Sequence, residues 1–231
     1  MPRVILFDVN ETMLDLAALD PLFEDRFGTR ETRREWFDQT LQSAMVGTIT
    51  GEYTDFGAVG MAALAMVAAR HGVALSDGDR EALRAGMRSL PPHPEVRTSL
   101  ERLRDAGFRL AALGNSTAEV IEAQLASAGL RDLFEQVFSA DAVRRLKPAP
   151  EPYLMAAGQL GVAIDRVRLV AAHAWDIAGA QRAGAAAGFI ARPGRVLDPL
   201  VPAPNVSGSD LSEVVDRIIA IEGEEGAAPV P

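Results

Sequence analysis

A chain of 231 residues, 48% of them apolar, is long enough to bury roughly 70% of its unfolded surface and needs no covalent staple. It has no cysteine, which excludes disulfides, thiolate metal sites and a cysteine nucleophile and makes the cytosol the simplest expected compartment. With 23 Lys+Arg against 32 Asp+Glu the net charge is −9, which argues against nucleic acid or an anionic membrane as partner. No apolar run reaches the ~20 residues of a membrane span, and MPRVILFDVNET does not continue as a secretory signal would.

RVILF is a short, continuous, β-branched-rich run stopping at Asp8, the pattern of a central parallel strand buried on both faces. From about Leu14 to Leu90 the spacing turns helical, with helices expected over 36–49, 56–72 and, after a Ser76 or Asp77 cap, 79–90. PPHP at Pro91 to Pro94 ends this stretch and reads as a stiff connector. Helix and strand then alternate: helix 95–107, strand 108–113, helix 117–129, strand 136–140, helix 150–161, strand 167–172, helix 174–188, strand 189–192, and a last helix over 211–221. This rhythm predicts an α/β fold, a Rossmann-like, doubly wound parallel sheet core (1–13 and 95–222) with an inserted all-helical cap (14–94). Residues 223–231 have the composition of an unstructured tail.

In such sheets ligands bind where strand order reverses, at the carboxyl ends of the strands. The polar residues expected there are Asp8 to Thr12, Gly114 to Ser116, Lys147, and His173 to Asp176. Each alone reads equally well as a cap or turn residue. A carboxylate, an amide, an ammonium, an imidazole and a second carboxylate at corresponding strand ends together read as an enzyme site.

These segments resemble the haloacid dehalogenase superfamily. The resemblance rests on FDVNETMLD (Phe7 to Asp15), LGNS (Leu113 to Ser116), LKPAPEPY (Leu146 to Tyr153) and VAAHAWD (Val170 to Asp176), in order along nearly the whole chain. HAWD and the KP-x-P-x-x-Y run are similar to the L-2-haloacid dehalogenase (type II) branch. The resemblance implies a Rossmann-like core, a helical cap, an aspartate nucleophile and, since the resembling enzymes are dimers, a homodimer.

Asp8 is then the expected nucleophile, forming an ester that water hydrolyses. Lys147 keeps it ionised, its plain alternative being a surface lysine of the RRLK run. Thr12 holds the loop, and backbone N–H groups around Val9 and Asn10 can receive a substrate carboxylate. By resemblance Asp176 orients Lys147 and helps position or activate the hydrolytic water. His173 stands where type II dehalogenases commonly have asparagine and is expected to act as base or acid, its plain alternative being a capping histidine. Trp175 and Tyr153 are expected to line the pocket, Tyr153 as a donor to the substrate carboxylate. Leu41, Met45, Tyr53 and Phe56 are expected to close an apolar lid, although their spacing suits plain helix packing.

Most of the superfamily are Mg²⁺-dependent phosphatases, with a second aspartate where this chain has Asn10 and a ligating aspartate where it has Ala172. An amide cannot supply a proton and a lost carboxylate weakens a Mg²⁺ site, so no metal and no cofactor are expected. Two positions depart from the dehalogenases. Phe37 stands where a cap arginine receives the halide, with Arg33 and Arg34 one turn away, and Gly114 replaces a usual Ser or Thr beside Asn115 and Ser116. The expected activity is metal-independent hydrolysis of a small carboxylic acid at C2, an (S)-2-haloacid first. A fluoride or strained-ring amine leaving group, such as that of azetidine-2-carboxylate, is the alternative within this chemistry. A catalytically degenerate acid-binding protein and a residual phosphatase stand outside it.

Overall fold

A computed structural model of the chain describes residues 3–226. Strands β1 (Val4–Phe7), β2 (Leu110–Gly114), β3 (Gln136–Ser139), β4 (Val167–Ala171), β5 (Ala186–Ile190) and β6 (Val206–Gly208) form one parallel sheet in the order β3-β2-β1-β4-β5-β6. From β1 the chain first winds through β2 and β3 and then returns to β4 on the other side, so strand order reverses at β1. That geometry opens a crevice at the carboxyl end of β1.

Side chains alternate across the sheet and divide the core in two. Ile5 and Phe7 pack with α5 (Val96–Asp105), α6 (Ala118–Ser127) and α9 (Leu211–Gly226). Val4 and Leu6 pack on the opposite face with α7 (Pro150–Gln159) and α8 (Ala174–Ala183). Arg168 is the anomaly of the sheet, a fully buried arginine inside β4. Its guanidinium is satisfied by Glu222 on α9 at 2.8 and 3.1 Å, by Asn205 and by the Ala187 carbonyl, which ties the last helix to the strand it covers.

Between β1 and α5 the chain is helical: α1 (Asp20–Phe27), α2 (Glu31–Thr50), α3 (Phe56–His71) and α4 (Asp77–Arg88). Asp55 caps α3, and Ser76 and Asp79 form the reciprocal capping box that starts α4. The two segments joining these helices to the sheet pair with each other. Asp15 N–H donates to the Pro91 carbonyl at 2.8 Å and His93 N–H to Met13 at 3.0 Å. Met13 and Leu14, between these bonds, have no exposed surface.

Three sequence expectations change. The Ala-rich run is divided earlier than its helix propensity suggests, because Gly184 takes a left-handed φ of 101° and ends α8 at Ala183. The strand therefore begins at Ala186 rather than at 189 and stops at Ile190. Strand β6, three residues within a Pro- and Gly-rich stretch, was not expected. The last helix runs to Gly226, so four residues assigned to an unstructured tail are helical; 227–231 lie outside the described residues. Among the described residues no helix is long and apolar enough to cross a membrane.

Candidate active site

Asp8 follows β1 directly and is 5% exposed, a carboxylate removed from water that needs partners. Lys147 Nζ donates to its Oδ1 at 2.8 Å, and Thr12 Oγ1 donates to its Oδ2 at 2.7 Å. Thr12 in turn accepts the Ala172 N–H at 3.0 Å, so one hydroxyl joins the β1 and β4 loops. Burial alone would raise the Asp8 pKa, but Lys147 and His173 together hold it well below the usual carboxylate range. The group is an anion at neutral pH.

Lys147 comes from the loop after β3, and Asn115 at the end of β2 sets its place. Asn115 Oδ1 accepts the Lys147 N–H at 2.7 Å and Asn115 Nδ2 donates to the Lys147 carbonyl at 3.3 Å. The ammonium then makes three bonds, to Asp8, to Asp176 Oδ2 at 2.6 Å and to the Leu113 carbonyl at 3.0 Å. Burial lowers its pKa, and the two carboxylates reverse this and raise it. Asp176, at the first turn of α8, spends its other oxygen on Tyr153, whose hydroxyl donates to Oδ1 at 2.5 Å. Burial and Asp8 raise the Asp176 pKa while Lys147 opposes them.

His173 closes the other side. Its Nε2 is 2.8 Å from Glu11 Oε2, and its Nδ1 is 3.4 Å from Asp8 Oδ2, an ion-pair distance without hydrogen-bond alignment. Burial lowers the imidazole pKa, yet Asp8 and Glu11 raise it to about 9. The ring is therefore an imidazolium at neutral pH. A raised folded-state pKa stabilises the fold fully below the unfolded value of 6.5 and stops doing so as pH rises through about 9. The gap in melting temperature between the parent chain and His173→Gln should accordingly narrow across that window; a gap independent of pH would contradict the assignment.

Asp8, Val9, Asn10, Phe37, Leu41, Phe56, Asn115, Ser116, Lys147, His173 and Trp175, all expected at the site, surround one cavity of about 20 Å³, the room of a single water. Phe37 and Leu41, one turn apart on α2, and Phe56 at the start of α3 roof it. His173 stacks on Trp175 with centroids 5.2 Å apart, and Phe37 lies 6.0 Å from it. The Trp175 Nε1–H is buried without a partner among the described residues.

Several expectations are corrected. Tyr153 is 1% exposed, lies behind Asp176 and does not line the cavity, because its hydroxyl is committed to that carboxylate. Asp176 itself is fully buried with both oxygens engaged, so it holds Lys147 and does not reach a water in the cavity. For His173, expected as base or acid, the pKa raised to about 9 by Asp8 and Glu11 favours the acid. Met45 and Tyr53 do not roof the cavity; Tyr53 donates to Asp141 and lies under Arg144. Arg33 turns to Asp20 and Glu11, and Arg34 is exposed, so neither guanidinium lines the cavity.

Gly114 has a packing reason. A Cβ there would lie 2.9 Å from Ile121 Cδ1, so Ile121 fills the space a larger residue would take. Gly114→Ser should destabilise by about 1–3 kcal/mol in chemical denaturation. Adding Ile121→Val should recover part of that loss, and a double variant no better than additive would count against this packing account.

A divalent cation does not fit between the two aspartates. The Lys147 ammonium already bridges them, and Ala172 offers no side-chain ligand while its N–H is taken by Thr12. Arg195 was not read as a site residue, Glu11 was read only as part of the Asp8 to Thr12 run, and Arg33 was weighed only for the halide. Glu11 lies inside the loop whose ends were read correctly, but its left-handed backbone and its cation partners from distant segments leave no local signature.

The description "haloacid dehalogenase-like hydrolase" belongs to a family model that matches residues 2–184. The chain belongs to that family. An (S)-2-haloacid dehalogenase of Pseudomonas sp. (strain CBS-3) is 29% identical over 212 residues, 90% of this chain and 93% of the relative. A solved L-2-haloacid dehalogenase superposes with a TM-score of 0.90 at 29% identity, covering 94% and 98% of the two chains. The Xanthobacter autotrophicus L-2-haloacid dehalogenase, solved with chloropropionic acid covalently bound, has the same fold, with a TM-score of 0.88 at 23% identity over 99% and 100%. This family member is a hydrolase with a Rossmann-like sheet.

Proposed function

We propose that this hydrolase acts on an (S)-2-haloacid, with Asp8 as nucleophile. The observation that carries the reading is an ionised Asp8 facing a small, largely apolar cavity while Lys147 bridges it to Asp176. A carboxylate oxygen of Asp8 attacks C2, the carbon–halogen bond breaks, and the halide leaves with the bonding pair. Water then attacks the ester carbonyl of Asp8. The carboxylate is regenerated, the 2-hydroxy acid departs and one proton is released.

Lys147 and Thr12 aim the carboxylate and stabilise charge returning to it in the second step. The unpartnered Trp175 Nε1–H supplies a donor for the departing halide where Phe37 supplies no charge. Because the cavity holds only about a water, α2 or its roofing side chains must shift to admit substrate. The relatives named (S)-2-haloacid dehalogenases support the substrate class. Chloride release with formation of lactate from (S)-2-chloropropionate tests it; no halide released from any short 2-haloacid would overturn it.

One observation favours a second reading within the same chemistry. His173 carries a proton beside Asp8, with the Phe37 ring 6.0 Å away, a setting suited to a leaving group that departs as its conjugate acid, fluoride or a ring amine. Fluoride release outpacing chloride release from matched substrates would select it.

A further inference from the structure

Glu11 is an unusual residue for the turn it occupies. Its φ is 61°, the left-handed region where a side chain costs free energy that glycine avoids. Its carboxylate is nevertheless 12% exposed and surrounded by three cationic groups from three separate parts of the chain. His173 comes from the β4 loop with Nε2 at 2.8 Å, Arg195 from the segment after β5, and Arg33 from α2 with Nη1 at 3.5 Å. The turn is fixed by the Glu11 N–H donating to the Leu14 carbonyl at 2.8 Å, so the carboxylate is delivered to this position by the same loop that carries Asp8.

We propose that Glu11 is a positioning residue for the hydrolase: it accepts the Nε2 hydrogen of His173 and thereby holds the ring with its Nδ1 edge 3.4 Å from Asp8. The charged groups around the imidazole are accounted for. On its own segment lies Asp176, which is engaged with Lys147 and Tyr153; from the β1 loop come Asp8 and Glu11; from the β3 loop comes Lys147, whose ammonium meets Asp8 on the other oxygen; and α2 presents only the Phe37 ring. Of the two anions touching the ring, Asp8 becomes neutral when it is esterified, and Glu11 then remains as the one that holds the imidazolium. Burial would raise the Glu11 pKa, but His173 first and Arg195 second bring it down to about 2 and keep the carboxylate ionised. Arg33 also brings the insertion's longest helix to within ion-pair distance of the same carboxylate.

The consequence for turnover rests on Asp8 being the nucleophile, but the charge on His173 does not. The test follows the imidazole directly. The chain has 3 histidines, so their NMR titrations separate readily. In the parent chain His173 should titrate near 9, in Glu11→Gln at least one unit lower, and in Glu11→Asp close to the parent. If Glu11→Gln does not fold, Arg195→Gln, which removes one of the partners keeping Glu11 charged, should lower the His173 titration in the same direction. An unchanged His173 titration in a folded Glu11→Gln protein would overturn the proposal and leave Glu11 as a tether for the Arg195 segment. In parallel, the alkaline limb of kcat on a 2-haloacid should move down with the His173 titration; an alkaline limb that stays in place while the titration moves would overturn the link to turnover. Absence of turnover in the parent chain would refute the proposed substrate, while the titration still decides the role of Glu11.

Discussion

Lys147→Met is expected to abolish turnover and to destabilise the chain by about 3–5 kcal/mol, the cost of leaving buried charge without its partner. The ammonium is 1% exposed and lies 2.8 Å from Asp8 and 2.6 Å from Asp176. Without it two carboxylates face each other in a site closed to water, and one of them must take up a proton. Chemical denaturation at neutral pH should show the loss, and it should shrink as pH falls and the pair accepts that proton. A second substitution, Asp176→Asn, should return part of the stability to Lys147→Met, since the two residues share one interaction and do not add. It should not return activity. An additive double variant would mean that the loss in Lys147→Met does not come from its ion pair with Asp176.

Asp8→Asn is expected to lower kcat by about 10⁴-fold or more, because a neutral amide removes the nucleophile and with it the covalent route. Stability should change far less than in Lys147→Met. The amide keeps an oxygen for Lys147, the Lys147 and Asp176 pair survives as a neutral unit, and Thr12 can still bond to the side chain. The two variants thus separate what charge does for the reaction from what it does for the fold. A folded Asp8→Asn protein with near-parental turnover would remove the mechanism altogether.

Which parts of this arrangement were legible in the sequence follows from how local their causes are. VILF and LAALG announce buried parallel strands, since each is short, apolar on both faces and followed by a polar residue, and VRLVA is as short and apolar except at Arg168. Because the ligand crevice lies at such ends, Asp8, Asn115, Lys147 and His173 were placed together from their positions after successive strands, and the structure brings them to one cavity. Phe37 was legible through the resemblance and Leu41 and Phe56 through helical spacing, but Met45 and Tyr53 were read with the same spacing and do not reach the cavity, because periodicity gives a face and not a depth. Direction was the larger gap. Tyr153 was read as facing substrate and Asp176 as reaching the hydrolytic water, yet a hydroxyl and a carboxylate so close in a dry interior satisfy each other. The Ala-rich run 183–187 misled because helix propensity cannot see the left-handed Gly184 or the strand pairing of Ala186 to Ile190 with β4. Arg195 lies 184 residues from Glu11, and no local pattern joins them.

The central claim is an ester on Asp8, and oxygen labelling reads it most directly. The protein would be turned over many times on (S)-2-chloropropionate in H₂¹⁸O, and the peptide containing Asp8 analysed by mass spectrometry alongside released chloride. Heavy oxygen is expected in the Asp8 carboxyl group, because water attacks the ester carbonyl and its oxygen stays there. Chloride release with an unlabelled Asp8 and the label in the product instead would show water attacking carbon directly, and would contradict the account.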